Sequence, residues 1–189
     1  RGLDASTVDF VLGNFEFVLL HELAHVVIGE LKVPVLGPEE DAADFLAATA
    51  LLNTTRGDPV SYRRANTWLL AAAEGLRLSW AEGETRTGEL PYWNSHSLNI
   101  QRFYSIACLL YGNDPDAFAD LPAEVGMPAA RADGCAAEWQ KADRSFRWLL
   151  DNFGRKPGQP AGPEIRIFYA APKALAAGEL LREIQRDGM

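Results

Sequence analysis

Two histidines and one glutamate stand close together in the sequence His21-Glu22-Leu23-Ala24-His25. A separation of four residues places both imidazoles on the same face of a helix, where they can bind one zinc ion. Glu22 lies beside that face, where its carboxylate can accept a proton from a metal-bound water. The spacing therefore predicts a site for one Zn²⁺ ion with hydrolytic chemistry.

Acidic residues at the start of the next predicted helix can complete the zinc site. Glu40 is the predicted third ligand, with Glu39 and Asp41 as alternatives, and a His-His-Glu set leaves the fourth position for water. Asp44 follows Glu40 by one helical turn and is predicted to accept a hydrogen bond from the outer nitrogen of His21, which would fix that ring. The ordinary alternative is an acidic helix N-terminus that complements the helix dipole.

The elements that must position these residues are predicted to be helices. The first begins near Asp4, Ser6 or Thr7 and ends at Gly29, before Pro34. Because it is apolar nearly all round, it is predicted to be a central, buried helix. A second helix opens at Gly37-Pro38, and further helices are predicted over residues 61–78, 98–111 and 133–153.

The sequence pattern that best indicates a strand lies in the C-terminal part of the chain. Residues 154–163 are linker-like, residues 164–169 alternate as a strand does, and residues 172–187 have the pattern of an amphipathic helix. The predicted fold class is therefore mainly α with at most a small β-sheet. The 189 residues suffice for one domain spanning 1–189.

Charge and apolar content exclude some classes of partner. The net charge of −8 disfavours nucleic acid, because an acidic surface repels phosphate. The longest apolar run, residues 15–31, is interrupted by His21, Glu22 and His25, so we expect no membrane span. The chain begins at Arg1 and shows no signal-peptide pattern. Cys108 and Cys135 form either a disulfide or two buried thiols.

The run from His21 to Asp44 resembles the gluzincin clan of metallopeptidases, typified by thermolysin. In that clan a His-Glu-x-x-His helix is followed by a helix with Glu-x-x-x-Asp, although the connection is shorter here. The resemblance implies a minimal zincin-like domain (α+β in class) built around an active-site helix. His21, His25 and Glu40 would then bind the zinc, and Glu22 would act on the water.

Three longer segments resemble a bacterial family known as metallopeptidases from its motif alone: HELAHVVIGELKVPVLGPEEDAADFLA, HSLNIQRFYSIACLLYGNDP and LPAEVGMPAARADGCAAEW. They lie in the expected order along the chain. This resemblance implies a zinc peptidase fold. It also implies a disulfide between Cys108 and Cys135, because the family carries both positions.

The third histidine, His96, precedes a predicted helix. In thermolysin-like enzymes a downstream histidine in a similar setting stabilises the oxyanion, and this resemblance implies the same role for His96. Alternatives are a capping or surface histidine, with Tyr104 or Tyr92 taking the oxyanion role. Arg102 is expected to form a salt bridge with an acidic loop or to bind a substrate carboxylate.

The resulting hypothesis is a zinc-dependent peptidase that hydrolyses peptide bonds through zinc-bound water activated by Glu22. Its partner would be a peptide or protein substrate, and its location an exported, periplasmic or extracellular compartment of a bacterium. The alternative is a zinc-binding interaction or regulatory domain without peptidase activity. An intact Glu22 favours the peptidase, because zinc binding alone does not require that residue.

Overall fold

The computed structural model describes residues 5–84, 90, 92–156 and 158, and this part of the chain is helical with no strand. The helices are α1 Ala5–Glu30, α2 Glu39–Thr55, α3 Pro59–Ser79, α4 Asn99–Asn113, α5 Leu121–Glu124, α6 Ala129–Ala132 and α7 Cys135–Phe153, with a π-helical turn at Trp80–Glu84 after α3. The prediction of a mainly α fold is confirmed. The strand and helix predicted over 164–169 and 172–187 lie outside the described residues.

The chain divides into two compact units, Arg1–Gly154 and Arg155–Met189. The boundary falls at the start of the segment predicted to be linker-like. The seven helices of the described residues all lie in the first unit. The prediction of one domain over 1–189 stays a prediction.

The core of the first unit lies where α2, α3, α4 and α7 meet. Leu52 of α2, Leu69 of α3, and Ile106 and Leu109 of α4 are fully buried in one apolar cluster. Helix α4 packs against both α3 and α7, while α1 packs against α2 and α3. Burial of these side chains supplies the main favourable free energy of folding.

A disulfide joins α4 to α7 through Cys108 and Cys135, whose Cα atoms are 5.0 Å apart. The predicted pairing of the two cysteines is confirmed. The bridge closes a loop with a sequence separation of 27 residues, which includes both short helices, α5 and α6. It therefore holds the C-terminal helix of this unit against the helix that follows His96.

The prediction that α1 is buried all round is wrong. Only some positions of α1, including Phe17, Ala24 and Ile28, face the core, while Phe15 and Val18 are half exposed or more. The cause is that, among the described helices, α1 packs mainly against α2 and α3. An apolar sequence does not reveal which of its sides a neighbour covers.

Among the described residues, one helix passes the length and composition test for a membrane span, at Ser6–Glu30 within α1. Core helices of soluble proteins pass the same test. In this chain α1 presents His21 and His25 to α2. Because the test rests on length and composition alone, the absence of a membrane span stays a prediction.

Glycine allows α1 to approach α3 closely. A Cβ atom added at Gly13 would meet the backbone of Trp68 on α3. Next to this crossing, Asn14 donates hydrogen bonds to the carbonyl oxygens of Phe10 and Ala71, at 2.8 and 3.0 Å. The crossing sets the position of α1 along α3 and the rotation of α1 about its own axis. It therefore also sets the direction in which the histidines of α1 point.

We predict that Gly13→Ala lowers the free energy of unfolding by about 1–3 kcal/mol, because the new methyl group forces the two backbones apart. Gly29→Ala is the matched control on the same helix, because a Cβ there meets nothing within 4 Å. We expect the control to be neutral or to stabilise by up to about 1 kcal/mol through helix propensity. Urea unfolding monitored by circular dichroism measures both variants, and equal stability of the two would contradict the close crossing.

Candidate metal centre

Three potential ligand atoms converge between α1 and α2. The Nε2 atoms of His21 and His25 are 3.2 Å apart, and they lie 3.2 and 3.1 Å from Oε2 of Glu40. The two histidines are one turn apart on α1, and Glu40 lies in the first turn of α2. The antiparallel return of the chain through the short connection 31–38 brings the carboxylate onto the histidine face.

The outer ring nitrogens of both histidines face carboxylates. Nδ1 of His21 is 2.8 Å from Oδ1 of Asp44, and Nδ1 of His25 is 2.8 Å from Oε1 of Glu39. An ionised carboxylate only accepts hydrogen bonds, so both Nδ1 atoms carry the proton. In the neutral rings, Nε2 of each histidine then presents a lone pair towards the other ring and towards Glu40.

A cation between three electron-rich atoms that face one another at this distance would be electrostatically favourable. A tetrahedral zinc site with metal–ligand distances of about 2.0–2.1 Å has ligand–ligand edges of about 3.3 Å. The three distances among His21, His25 and Glu40 are 3.2, 3.2 and 3.1 Å. The donor set therefore fits one zinc ion in both chemistry and size.

Asp44 connects the histidine cluster to α4. Its carboxylate is 4% exposed and accepts from Arg102 at both oxygens, with Nε 2.7 Å from Oδ2 and Nη2 2.8 Å from Oδ1. His21 is 6% exposed and shares Oδ1 of the same carboxylate. Arg102 therefore forms a salt bridge, as expected, but its partner lies in helix α2 and not in an acidic loop.

The segment that precedes α4 brings His96 to the same place. Its Nε2 lies 2.8 Å from Oε2 of Glu40, and its ring stacks on His21 with the centroids 6.1 Å apart. His21, Glu40 and His96 form a group whose ligand atoms all lie within 4.8 Å of one another. His96 differs from the other two histidines because, among the described residues, its Nδ1 faces a hydroxyl, Ser95 Oγ at 3.4 Å, and not a carboxylate. A proton on Nε2 that is donated to Glu40 explains the short contact.

Two further hydrogen bonds hold the His96 segment. Ser97 Oγ donates to Asp41 on α2 at 2.9 Å, and the backbone NH of His96 donates to Asn94 Oδ1 at 3.0 Å. Asp41, an alternative ligand in the sequence analysis, therefore contacts Ser97, whereas Glu39 contacts the outer nitrogen of His25. Sequence reasoning missed these links, although a serine directly after His96 was a possible signal.

Glu22 is exposed and lines an open cleft of about 720 Å³. The lining also includes both histidines of α1, Pro38, Glu39, Glu40, and residues 94–96. Among the described residues, that lining includes neither Tyr92 nor Tyr104. Tyr92 is 76% exposed, and Tyr104 packs against the core beside Phe103. The structure therefore brings the three histidines, Glu22 and Glu40 together and leaves both tyrosines away from the cleft.

The electrostatics of the cluster favour positive charge. The hydrogen bond to Glu39 raises the pKa of His25 above its usual value, and the charge of Glu40 adds to this against the opposing effect of desolvation. Burial acts against the charge of Arg102, but its hydrogen bond to Asp44 and the charges of Asp44 and Glu40 raise its pKa overall. The same negative potential favours a bound metal cation.

A helical fold with a histidine–carboxylate cluster beside an acidic side chain in an open cleft is typical of metal-dependent hydrolases. Residues 3–150 match the model of a family described as "Putative metallopeptidase", and the chain belongs to that family. No curated protein and no solved structure matches the chain. Family membership supports a peptidase, with a peptide substrate and a metal ion.

We predict that zinc stabilises the folded chain. At a free zinc concentration about 100 times Kd, binding to the folded state alone adds about 2.7 kcal/mol, which raises Tm by about 5–10 °C for a chain of this size. Thermal unfolding with zinc and with a chelator measures the difference. His25→Ala is expected to lose most of the shift, and a shift of equal size in this variant would contradict the site.

Proposed function

We propose that the chain is a zinc-dependent peptidase whose metal is bound by His21, His25 and Glu40. The observation that carries the proposal is the convergence of these three ligand atoms within 3.2 Å of one another, beside Glu22 on an open cleft. Glu40 is the third ligand in preference to Glu39, because its Oε2 contacts both inner nitrogens. This arrangement is gluzincin-like, with Asp44 as the carboxylate that orients His21.

Each side chain of the cleft has a distinct task in the proposed reaction. Zinc, when bound, supplies a Lewis acid that polarises the peptide carbonyl and makes a water molecule more acidic. Glu22 accepts the proton as that water attacks the carbonyl carbon, and then passes it to the nitrogen of the departing amine. The carbon–oxygen bond forms first, and the carbon–nitrogen bond breaks when the amine nitrogen receives the proton, so water is the only co-reactant.

His96 is the proposed donor to the oxygen of the substrate carbonyl. Its Nε2 lies 2.8 Å from Oε2 of Glu40, the proposed third ligand. A proton on this nitrogen would be close to an oxygen bound beside Glu40, where negative charge develops during the attack. Tyr92 and Tyr104 are weaker candidates for this role because neither lines the cleft.

The alternative function is a zinc-binding interaction or regulatory domain without peptidase activity. It uses the same ligands but gives Glu22 no task. Glu22 is exposed in the cleft and forms no ion pair among the described residues, and this favours a catalytic role. The disulfide between Cys108 and Cys135 supports an exported location, since such bonds persist in oxidising compartments.

We expect Glu22→Gln to bind zinc with unchanged stoichiometry and to lose peptide hydrolysis by at least about 100-fold, because the amide cannot accept the proton. Metal analysis and mass spectrometry of a digested peptide mixture give the two readouts. Glu30→Gln is the matched control, since Glu30 is an exposed glutamate on the same helix outside the cleft.

The peptidase proposal fails if wild type and Glu22→Gln hydrolyse the mixture equally or if both are inactive while they bind zinc. The second outcome would favour the interaction domain. Equal loss in Glu30→Gln would show that the effect comes from the helix and not from the cleft.

His96→Ala is expected to keep zinc and to lower kcat by about 100- to 1,000-fold, as removal of an oxyanion donor does. Steady-state kinetics of the wild type and the variant, together with a zinc titration, measure the two quantities separately. If zinc affinity fell but kcat at saturating zinc did not change, the oxyanion role would be excluded. His96 would then contribute to zinc binding through its contact with Glu40.

A further inference from the structure

Arg102 is connected to the candidate metal centre through one carboxylate. Asp44 accepts from Arg102 at both oxygens and shares Oδ1 with Nδ1 of His21. The chain of contacts therefore crosses three helices, from α4 through α2 to α1. Nε2 of His21, at the end of this chain, faces His25 and Glu40.

The geometry of the guanidinium fixes the plane of the Asp44 carboxylate. Two parallel N–H donors at 2.7 and 2.8 Å leave the carboxylate little freedom to rotate. Because Asp44 is 4% exposed, water offers no substitute for these bonds. The direction of Oδ1 sets the direction of Nδ1–H of His21, and the opposite ring nitrogen follows as part of the same rigid ring.

Electrostatic attraction to nearby carboxylates also stabilises Arg102 in this position. Glu39, Glu40, Asp41 and Asp44 place four carboxylates within six residues of α2. The side chain of Arg102 is 15% exposed and forms its ion pair with Asp44, the most buried of the four. Removal of the cationic partner of a buried carboxylate strongly destabilises the folded state, because it leaves an uncompensated buried charge. Loss of Arg102 would leave Asp44 in this condition.

We propose that Arg102 is a positioning residue for the metal centre: its bidentate salt bridge holds Asp44 in the orientation that directs Nε2 of His21 at the metal. This inference rests on the proposed zinc site, but not on the peptidase reaction. It assigns a role in metal binding to a residue of α4 that contacts no ligand atom itself.

The test compares Arg102→Met and Arg102→Lys with wild type in zinc affinity, measured by competition with a chromophoric chelator. Loss of an outer partner of a metal ligand costs about 10- to 100-fold in affinity, and we expect a loss of this size for Arg102→Met. Arg102→Lys keeps the charge but lacks the fork, so it should recover only part of the loss. Cobalt(II) in place of zinc gives a second readout, because its visible absorption reports the ligand geometry.

The matched control is Arg131→Met, which breaks an ion pair with Glu138 in the same unit, outside the cleft lining. It is expected to lower thermal stability without changing zinc affinity or the cobalt spectrum. If Arg102→Met does not fold, Arg102→Lys still decides the question. Zinc affinity and cobalt spectra equal to wild type in the folded Arg102 variants would overturn the positioning role alone, whereas a wild-type chain without zinc affinity would overturn the metal site itself.

Discussion

Repulsion among three lone pairs is the constraint on which the candidate site depends. Nε2 of His21, Nε2 of His25 and Oε2 of Glu40 lie within 3.2 Å of one another, and the outer partners of both rings hold the protons on the far side. A cation between the atoms, either a proton on one ring or the proposed metal ion, relieves this repulsion. The packing of α1 against α2 holds the donors together, and binding of the proposed metal would add to the stability of that packing.

The rest of the unit supplies that rigidity from several directions. The close crossing at Gly13 sets α1 on α3, and the salt bridge from Arg102 joins α4 to the start of α2. The disulfide fastens α4 to α7 on the other side of the core. Helix α4 thus serves the site twice, because His96 immediately precedes it and Arg102 lies in its first turn.

Local spacing made the central part of the site predictable. The separations between His21 and His25, and between Glu40 and Asp44, are helical repeats, so each pair shares a face whatever the tertiary fold. The contact of Asp44 with His21 followed from the antiparallel return of α2. The placement of Tyr104 did not follow, because the direction of a side chain on α4 depends on how that helix is rotated in the core.

Long-range packing explains the remaining differences. The apolar composition of α1 predicted burial on all sides, but composition carries no information about where α2 and α3 would lie. The sequence also did not identify the partner of Arg102, because the chain contains several acidic segments. Its choice of Asp44 results from the docking of α4 against α2, which no local pattern encodes.

The exposed side of α1 has a consequence for how a substrate would meet the proposed base. Val18 and Val26 lie four residues before and after Glu22, and each is 56% exposed. Glu22 is therefore flanked on its own helix by apolar side chains that are open to solvent. A peptide laid along α1 over Glu22 would also cover these side chains, and their burial would favour its binding. In the proposed peptidase, one helix would thus supply metal ligands, the base and part of the substrate-binding surface.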